Sequence, residues 1–242
     1  MTKPIEKKLD LSFIVPIYNS APHIVEKHKE LTKIIKGVTK NYEILFCNDA
    51  SPDNSQELLD EIAGSDNNIR LLVNPNNMGL GYSVKRLINE SRGEIIAYTD
   101  IDLSFDVSKL GEFMEKIRDY DVVAGSRYIG MKSYVPLHRK IISRCYWLIC
   151  RILFSVPISD IGTGFFLIKK KCFNDFRFVT TGFAVSIELH AKLHKKGCKF
   201  LEIPVAYNHH SGPASTFKLF KHFLPTFYET LLVLYDLKLR KH

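Results

Sequence analysis

The chain has 242 residues, 45% of them apolar and 25% charged, which suits one sizeable α/β core and excludes a disordered or fibrous chain. The formal net charge of +8 is unevenly spread: residues 1–126 carry 15 Lys and Arg against 20 Asp and Glu, whereas residues 127–242 carry 19 against 6. A split of this size turns the second half toward an anionic partner, with nucleic acid, phosphorylated lipid and anionic membrane as the candidates.

Leu11–Val15 reads as a buried strand stopped by Pro16, and the spacing of Ile24, Leu31, Ile34 and Ile35 predicts a helix over His23–Lys36. Tyr42–Cys47 reads as a second buried strand. Ser51 as N-cap and Pro52 at the first helical position predict a helix carrying Leu58, Leu59 and Ile62. Ile69–Val73 is a third strand, and the turn-rich Asn74–Gly81 leads into a helix through Val84, Leu87 and Ile88. Glu94–Thr99 is a fourth strand that runs straight into Asp100-Ile101-Asp102. This alternation predicts an α/β fold with a Rossmann-like, mostly parallel central sheet and helices on both faces.

The second half is less regular. Val122–Ala124, Phe165–Ile168 and Phe200–Ala206 read as strands and Ser186–Lys195 as a helix. A domain over residues 1–215 is expected to be followed by a helical tail, 216–242, with Phe220, Leu224, Phe227, Leu231 and Leu234 on one stripe. Five cysteines without a C-x-x-C pair indicate reduced thiols and a cytoplasmic protein. No run suits a signal peptide or a membrane span, so contact with the inner face of a membrane is expected to be peripheral. Tyr134, Tyr146, Trp147 and Leu148 alternate with His138, Arg139, Lys140, Arg144 and Arg151, and the tail sets Phe217, Phe220, Phe223, Phe227 and Tyr228 beside Lys218, Lys221 and His222. Such mixtures suit a bilayer interface; a helix packed on its own core, or a contact between two copies, would also use them.

Asp100 and Asp102 follow a buried strand and so stand at its carboxyl end, where open α/β sheets bind ligands. Two residues apart in extended chain, they project to one side, a pattern that suits a hard divalent cation holding a diphosphate. A solvated acidic turn has the same pattern.

An ordered series of motifs goes further. Val15-Pro16-Ile17-Tyr18-Asn19, Asn48-Asp49-Ala50-Ser51-Pro52-Asp53, Asn77-Met78-Gly79-Leu80-Gly81, Thr99-Asp100-Ile101-Asp102-Leu103 and Gly125-Ser126-Arg127 follow one another. Asp160 with Gly164-Phe165, then Glu188-Leu189, Gly197 and Glu202-Ile203-Pro204, continue the order. Over roughly residues 11–218 this series resembles the family 2 glycosyltransferases, and within them the polyprenol-phosphate sugar transferases of the dolichol-phosphate mannosyltransferase type.

The resemblance implies a GT-A fold and an inverting transfer of a hexose from a nucleotide-diphosphate sugar to polyprenyl phosphate, dependent on Mg²⁺ or Mn²⁺. It implies that Pro16, Tyr18, Asn48, Asp49 and Gly79 bind the nucleotide. Asp100 and Asp102 would hold the metal, Asp102 most directly, with Asp100 also at the nucleotide, and Arg127 would bind phosphate. Three positions depart from the family. Asn48 replaces a carboxylate, Ser104 replaces the Gln of D-x-D-x-Q, and His209-His210 stand where an arginine is expected. Glu188 is near where many relatives place a catalytic base, but a phosphate acceptor is already anionic and needs none. One alternative is a soluble transferase that extends a glycan or teichoic-type polymer with Glu188 as base. Another is a non-catalytic member that binds nucleotide sugar. Nucleic acid is not needed as a partner, since the motifs account for the anionic ligands.

Overall fold

A computed structural model describes residues 9–130, 137–208 and 219–239, and only the backbone of 137–139 and 219–222. In chain order it contains β1 (Leu11–Ile17), α1 (Ala21–Val38), β2 (Tyr42–Asn48), α2 (Ser55–Ser65), β3 (Ile69–Val73), α3 (Leu80–Glu90) and β4 (Ile95–Thr99). There follow α4 (Leu110–Lys116), β5 (Val122–Ser126), α5 (Leu137–Phe154), β6 (Phe165–Lys169), α6 (Val185–Lys195), β7 (Phe200–Pro204) and α7 (Leu219–Leu239).

The seven strands form one sheet in the order β3-β2-β1-β4-β6-β5-β7. Every pairing is parallel except those of β6, which runs antiparallel to both β4 and β5. The alternation of side chains along β1 supplies both layers. Phe13, Val15 and Ile17 pack with Ile24, Leu31, Leu59 and Phe113 beneath α1, α2 and α4, while Ile14 packs with Val84, Leu87, Leu189 and Leu193 beneath α3 and α6. A third cluster joins α5, α6 and α7 through Cys150, Phe154, Ile187, Ala191 and Val233. The mostly parallel α/β sheet expected from the sequence is present.

Two local expectations need correction, and one helix was not expected. Helix α2 starts at Ser55, not at Ser51-Pro52. The Ser51 hydroxyl instead accepts the Asn19 N–H at 3.1 Å, and the Asp53 carboxylate takes the N–H of Ala21 at 2.9 Å, the first residue of α1. The β2–α2 turn is thus used to hold the β1–α1 turn. Helix α5, which the mixed basic and aromatic pattern of 134–158 concealed, runs for 18 residues. Helix α7 is packed onto the body. Thr230 and Val233 are fully buried, Tyr146 Oη meets Thr230 Oγ1 at 2.7 Å, and Lys192 Nζ meets Asp236 at 2.7 Å. Its inner stripe is Thr230, Val233, Leu234 and Leu237, whereas Leu224 and Leu231 of the predicted stripe point to solvent. A helix apolar on most of its surface carries little periodicity, so its polar anchors choose the buried side. Tyr134, His138, Arg139, His209, His210, Phe217, Lys218, Phe220, Lys221 and His222 lie outside the residues or side chains described. Among the described residues, no helix is long and apolar enough to cross a membrane, and the five cysteines are free.

At the amino ends of the strands, Ser12 Oγ, Arg92 N–H and Arg70 Nη1 converge on the buried Glu43 at 2.6, 2.6 and 2.9 Å. Gly93 donates to Ser12 Oγ at 2.7 Å, and a Cβ there would stand 2.4 Å from the Ser12 nitrogen. Gly93→Ala must therefore push backbone from backbone. It is expected to cost about 1–3 kcal/mol in urea unfolding and to leave the circular dichroism spectrum of the folded protein unchanged.

Candidate active site

Strands β2 and β4 flank β1, and the connections through α1 and α3 leave β1 and reach β4 on opposite sides, so the sheet has a topological switch point between β1 and β4. Ligands of open α/β sheets bind in the crevice beyond such a point. The β1–β4 ladder ends at Ile14↔Tyr98, so Pro16 lies beyond it and gives up no ladder bond on that side. The two chains then separate, Tyr18 following β1 and Asp100–Leu103 following β4. Tyr18 is 37% exposed at the mouth.

The β2–α2 turn forms the floor. Asn48 is 2% exposed. Its Oδ1 accepts the Ser51 N–H at 3.1 Å and its Nδ2 donates to Gln56 Oε1 at 2.7 Å. Asp49 is 4% exposed and reaches into the β3–α3 loop. It accepts Asn74 Nδ2 at 2.7 Å and the N–H groups of Met78 and Gly79, each at 2.8 Å. Gly79 has φ 92°, and a Cβ there would lie 2.5 Å from the Thr181 carbonyl oxygen. The close approach that this glycine permits is thus to the 181 peptide.

Opposite, Tyr98 stacks on Phe166 at 4.8 Å and donates its hydroxyl to Asp100 Oδ1 at 2.7 Å. Desolvation, followed by the charge of Asp102, pushes the Asp100 carboxyl up to about 6. Asp102 accepts the Ser104 N–H at 3.0 Å and its hydroxyl at 2.8 Å. Ser104, where the family has Gln, therefore orients Asp102. Among the described residues, neither aspartate is ion-paired to a Lys or Arg, and no cluster of three or more His, Cys, Asp or Glu is poised to enclose a metal. Two half-buried carboxylates, with no Lys or Arg in salt-bridge contact among the described residues, fit a hard divalent ion whose other ligands are diphosphate oxygens and water.

Arg127 lies on the same edge of the sheet. Its Nε and Nη2 grip Asp160 at 2.8 and 2.7 Å, its N–H adds a bond at 3.0 Å, and Nη1 takes no part in the fork. The guanidinium lies 5.1 and 5.0 Å from the ring centroids of Phe105 and Tyr207. The salt bridge to Asp160 outweighs the cost of burial and raises its pKa, so the charge is permanent. Gly164 brings Arg127 and the aspartates together, since a Cβ there would meet Asp100 Oδ2 at 2.8 Å and the Phe105 ring at 2.9 Å.

Glu188 stands apart. It is fully buried on α6. Its carboxylate takes the N–H of Val179 at 2.6 Å, the N–H and hydroxyl of Thr180 at 2.9 and 2.6 Å, and Lys192 Nζ at 2.6 Å. Of the residues singled out from sequence, Pro16, Tyr18, Asp100, Asp102 and Arg127 stand at the carboxyl-end edge of β1, β4 and β5, Asn48, Asp49 and Gly79 belong to the bonded turns beside them, and Glu188 holds Val179 and Thr180. Sequence reasoning missed Tyr98, Asn74 and the role of Ser104. Tyr98 had a signal, since it lies two residues before Asp100 on the same side of the chain.

Residues 12–177 match glycosyl transferase family 2. The dolichol-phosphate mannosyltransferase of Saccharomyces cerevisiae is 30% identical over 76% of this chain and 71% of its own length. That of Pyrococcus furiosus is 28% identical over 82% of this chain, which spans only 56% of the relative. Among solved structures, a mannosyltransferase of Pyrobaculum calidifontis in complex with GDP-Man and Mn²⁺ superposes with a TM-score of 0.65 at 15% identity, over 98% of this chain and 66% of that one. The last likeness carries the GT-A fold alone. The chain belongs to glycosyl transferase family 2 and is a glycosyltransferase.

Proposed function

We propose that this glycosyltransferase moves a hexose from a nucleoside-diphosphate sugar to a polyprenyl phosphate at a membrane surface, by a single inverting displacement assisted by Mg²⁺ or Mn²⁺. The observation that carries the reading is the division among carboxylates. Among the described residues, Asp100 and Asp102 have neutral donors and no Lys or Arg in salt-bridge contact, whereas Glu188 and Asp160 are bonded to Lys192 and Arg127 as well as to backbone N–H groups. With those two unavailable as bases, an acceptor that is already an anion suits the site. The curated mannosyltransferases with which the chain aligns are named for such an acceptor.

In this reading Pro16 and Tyr18 pack the nucleoside over the floor made by Asn48 and Asp49. Asp100 and Asp102 hold the divalent ion, which when bound supplies Lewis acidity to the departing diphosphate. Ser104 keeps Asp102 oriented and Tyr98 keeps Asp100 oriented. Arg127, fixed by Asp160, offers positive charge to donor or acceptor phosphate. The acceptor oxygen attacks the anomeric carbon as the carbon–oxygen bond to the diphosphate breaks, and an α-linked donor gives a β-linked product.

Membrane contact is supported by α5 and α7. Ile141, Leu148 and Ile152 on α5 and Leu224, Tyr228 and Tyr235 on α7 are all more than half exposed, and both helices belong to one packed cluster. Lys140, Arg144 and Arg151 add positive charge beside these apolar side chains. In this reading the protein works at the cytoplasmic face of a membrane.

Three outcomes are expected. Asp102→Ala should lower transfer by about a hundredfold or more and remove the metal dependence of nucleotide binding by calorimetry, with an unchanged circular dichroism spectrum. Near-normal turnover with Mg²⁺ or Mn²⁺ would sink the assignment of the metal site. Glu188→Gln should slow the enzyme through loosening of the 178–181 segment but leave the shape of the pH profile of kcat/KM intact. Loss of its acidic limb, along which activity rises as a catalytic carboxylate deprotonates, would favour the glycan-extending reading, and an α-anomeric product by NMR would exclude inversion. In flotation assays, vesicles containing phosphatidylglycerol should bind the protein at low salt and release it at high salt, with each basic residue at the surface contributing about 1 kcal/mol. Absence of binding at every salt concentration, with full activity on a soluble saccharide, would refute the membrane reading.

A further inference from the structure

The N-terminus of α3 carries the 77–81 loop and has no side-chain cap of its own. Its first free N–H groups, from Gly81 and Tyr82, both donate to the Thr181 carbonyl at 2.7 and 3.2 Å. The approach is tight on each side, because a Cβ on Gly81 would lie 2.7 Å from the Thr181 carbonyl carbon, just as one on Gly79 would meet its oxygen. The 77–81 loop therefore has two fixings. Asp49, at the end of β2, holds the N–H groups of Met78 and Gly79 from the sheet side, and Thr181 holds the opposite side.

What holds Thr181 is the C-terminal helix. Glu229 on α7 accepts the N–H groups of Thr181 and Gly182 at 2.9 and 2.8 Å through Oε1, and that of Ala184 at 3.4 Å through Oε2. The Thr181 hydroxyl adds a contact at 3.3 Å. Gly182 is what lets the carboxylate in, since a Cβ there would stand 2.8 Å from Oε2. The flanking residues lead back to α7 as well. Glu188 holds Val179 and Thr180, and Lys192, at 2.6 Å from Glu188, is also 2.7 Å from Asp236 on α7. Residues 179–184 thus form a short strap between α7 and the N-terminus of α3.

We infer that Glu229 is a positioning residue for the donor: by fixing the 181–184 peptides it sets where the 77–81 loop stands against the nucleotide. This rests on the reading that the crevice binds a nucleoside diphosphate. Loss of the carboxylate frees residues 181–184, while Glu188 still holds Val179 and Thr180 and Asp49 still holds Met78 and Gly79, so the 77–81 loop shifts on its Thr181 side and the sheet stays intact.

The test uses the full chain. GDP and UDP, each with Mn²⁺, are titrated calorimetrically into the parent protein and into Glu229→Gln and Glu229→Asp, and steady-state kinetics are run for donor and acceptor. Glu229→Gln is expected to raise the Kd of the diphosphate that binds, and the KM for the donor, by about five- to twentyfold. Its kcat at saturating donor and its KM for the acceptor should stay within about twofold, and Glu229→Asp should recover most of the affinity. Should Glu229→Gln fail to fold, Gly182→Ala decides in the same assay, since it displaces the carboxylate without removing it. A folded variant whose Kd and donor KM stay within about twofold of the parent overturns the inference and leaves the proposed function standing. A parent chain that binds neither diphosphate overturns both.

Discussion

A carboxylate brought below the surface must find hydrogen-bond donors, and at the ligand-facing edge of this sheet the donors come from distant loops. Asp49 draws in the 74–79 loop, and Asp160 fixes Arg127. Glu188 and Glu229 between them hold residues 179–182. Each bond set ties segments separated by more than a few residues, so four acidic side chains add long-range ties to the apolar packing of Ile17, Ile101, Leu103 and Phe105. Asp100 and Asp102 are the contrast. Their donors, Tyr98 and Ser104, come from their own strand and turn and carry no charge. Neutral donors orient a carboxylate without cancelling it, which leaves negative charge available for a cation.

The turns around the crevice carry backbone strain that only such bonding can sustain. Asn19, Ala50 and Leu103 have φ of 51°, 53° and 49°, one in each turn that follows β1, β2 and β4. Left-handed backbone at a non-glycine residue costs roughly 1–3 kcal/mol. Next to each residue lies a compensating bond: Asn19 N–H to Ser51 Oγ, Ser51 N–H to Asn48 Oδ1, and Leu103 N–H to the Asp100 carbonyl. Asn48, which departs from the family carboxylate, is thereby accounted for in part, because its amide both accepts from Ser51 and donates to Gln56, which a carboxylate could not do.

The parallel half of the fold was legible because its strands are buried on both faces and so appear as unbroken apolar runs between turn residues. The position of Asp100 and Asp102 at a strand end followed from the same reading. Other features were not legible, for physical reasons. Ser51-Pro52 has the composition of a helix start, yet its hydroxyl is claimed by Asn19, a contact across 32 positions. The antiparallel direction of β6 depends on where the chain returns, which local patterning does not encode. Helix α5 carries Arg144 and Arg151 against Trp147, with guanidinium carbons 5.5 and 5.1 Å from the ring centroid, so its charged residues interrupt the apolar period they lie beside. Glu188 illustrates the limit for chemistry. A helix glutamate next to a family motif reads as a base, and only its four donors in three dimensions show that it is spoken for.

Helix α7 shows the same competition between charge and apolar surface. Its polar residues Glu229, Thr230 and Asp236 point into the protein, while Leu224, Tyr228, Leu231, Tyr235 and Leu239 form an exposed stripe at helical spacing. Each inward polar group has a partner, and Val233, Leu234 and Leu237 pack beside them in the cluster shared with α5 and α6. The partners are not arbitrary: they are the strap beside the donor loop, the buried lysine of α6 and the tyrosine of α5. The outward stripe and the inward anchors share one helix, and through Glu229 that helix is bonded to the peptides of residues 181 and 182, whose neighbouring carbonyl takes the N–H groups at the N-terminus of α3.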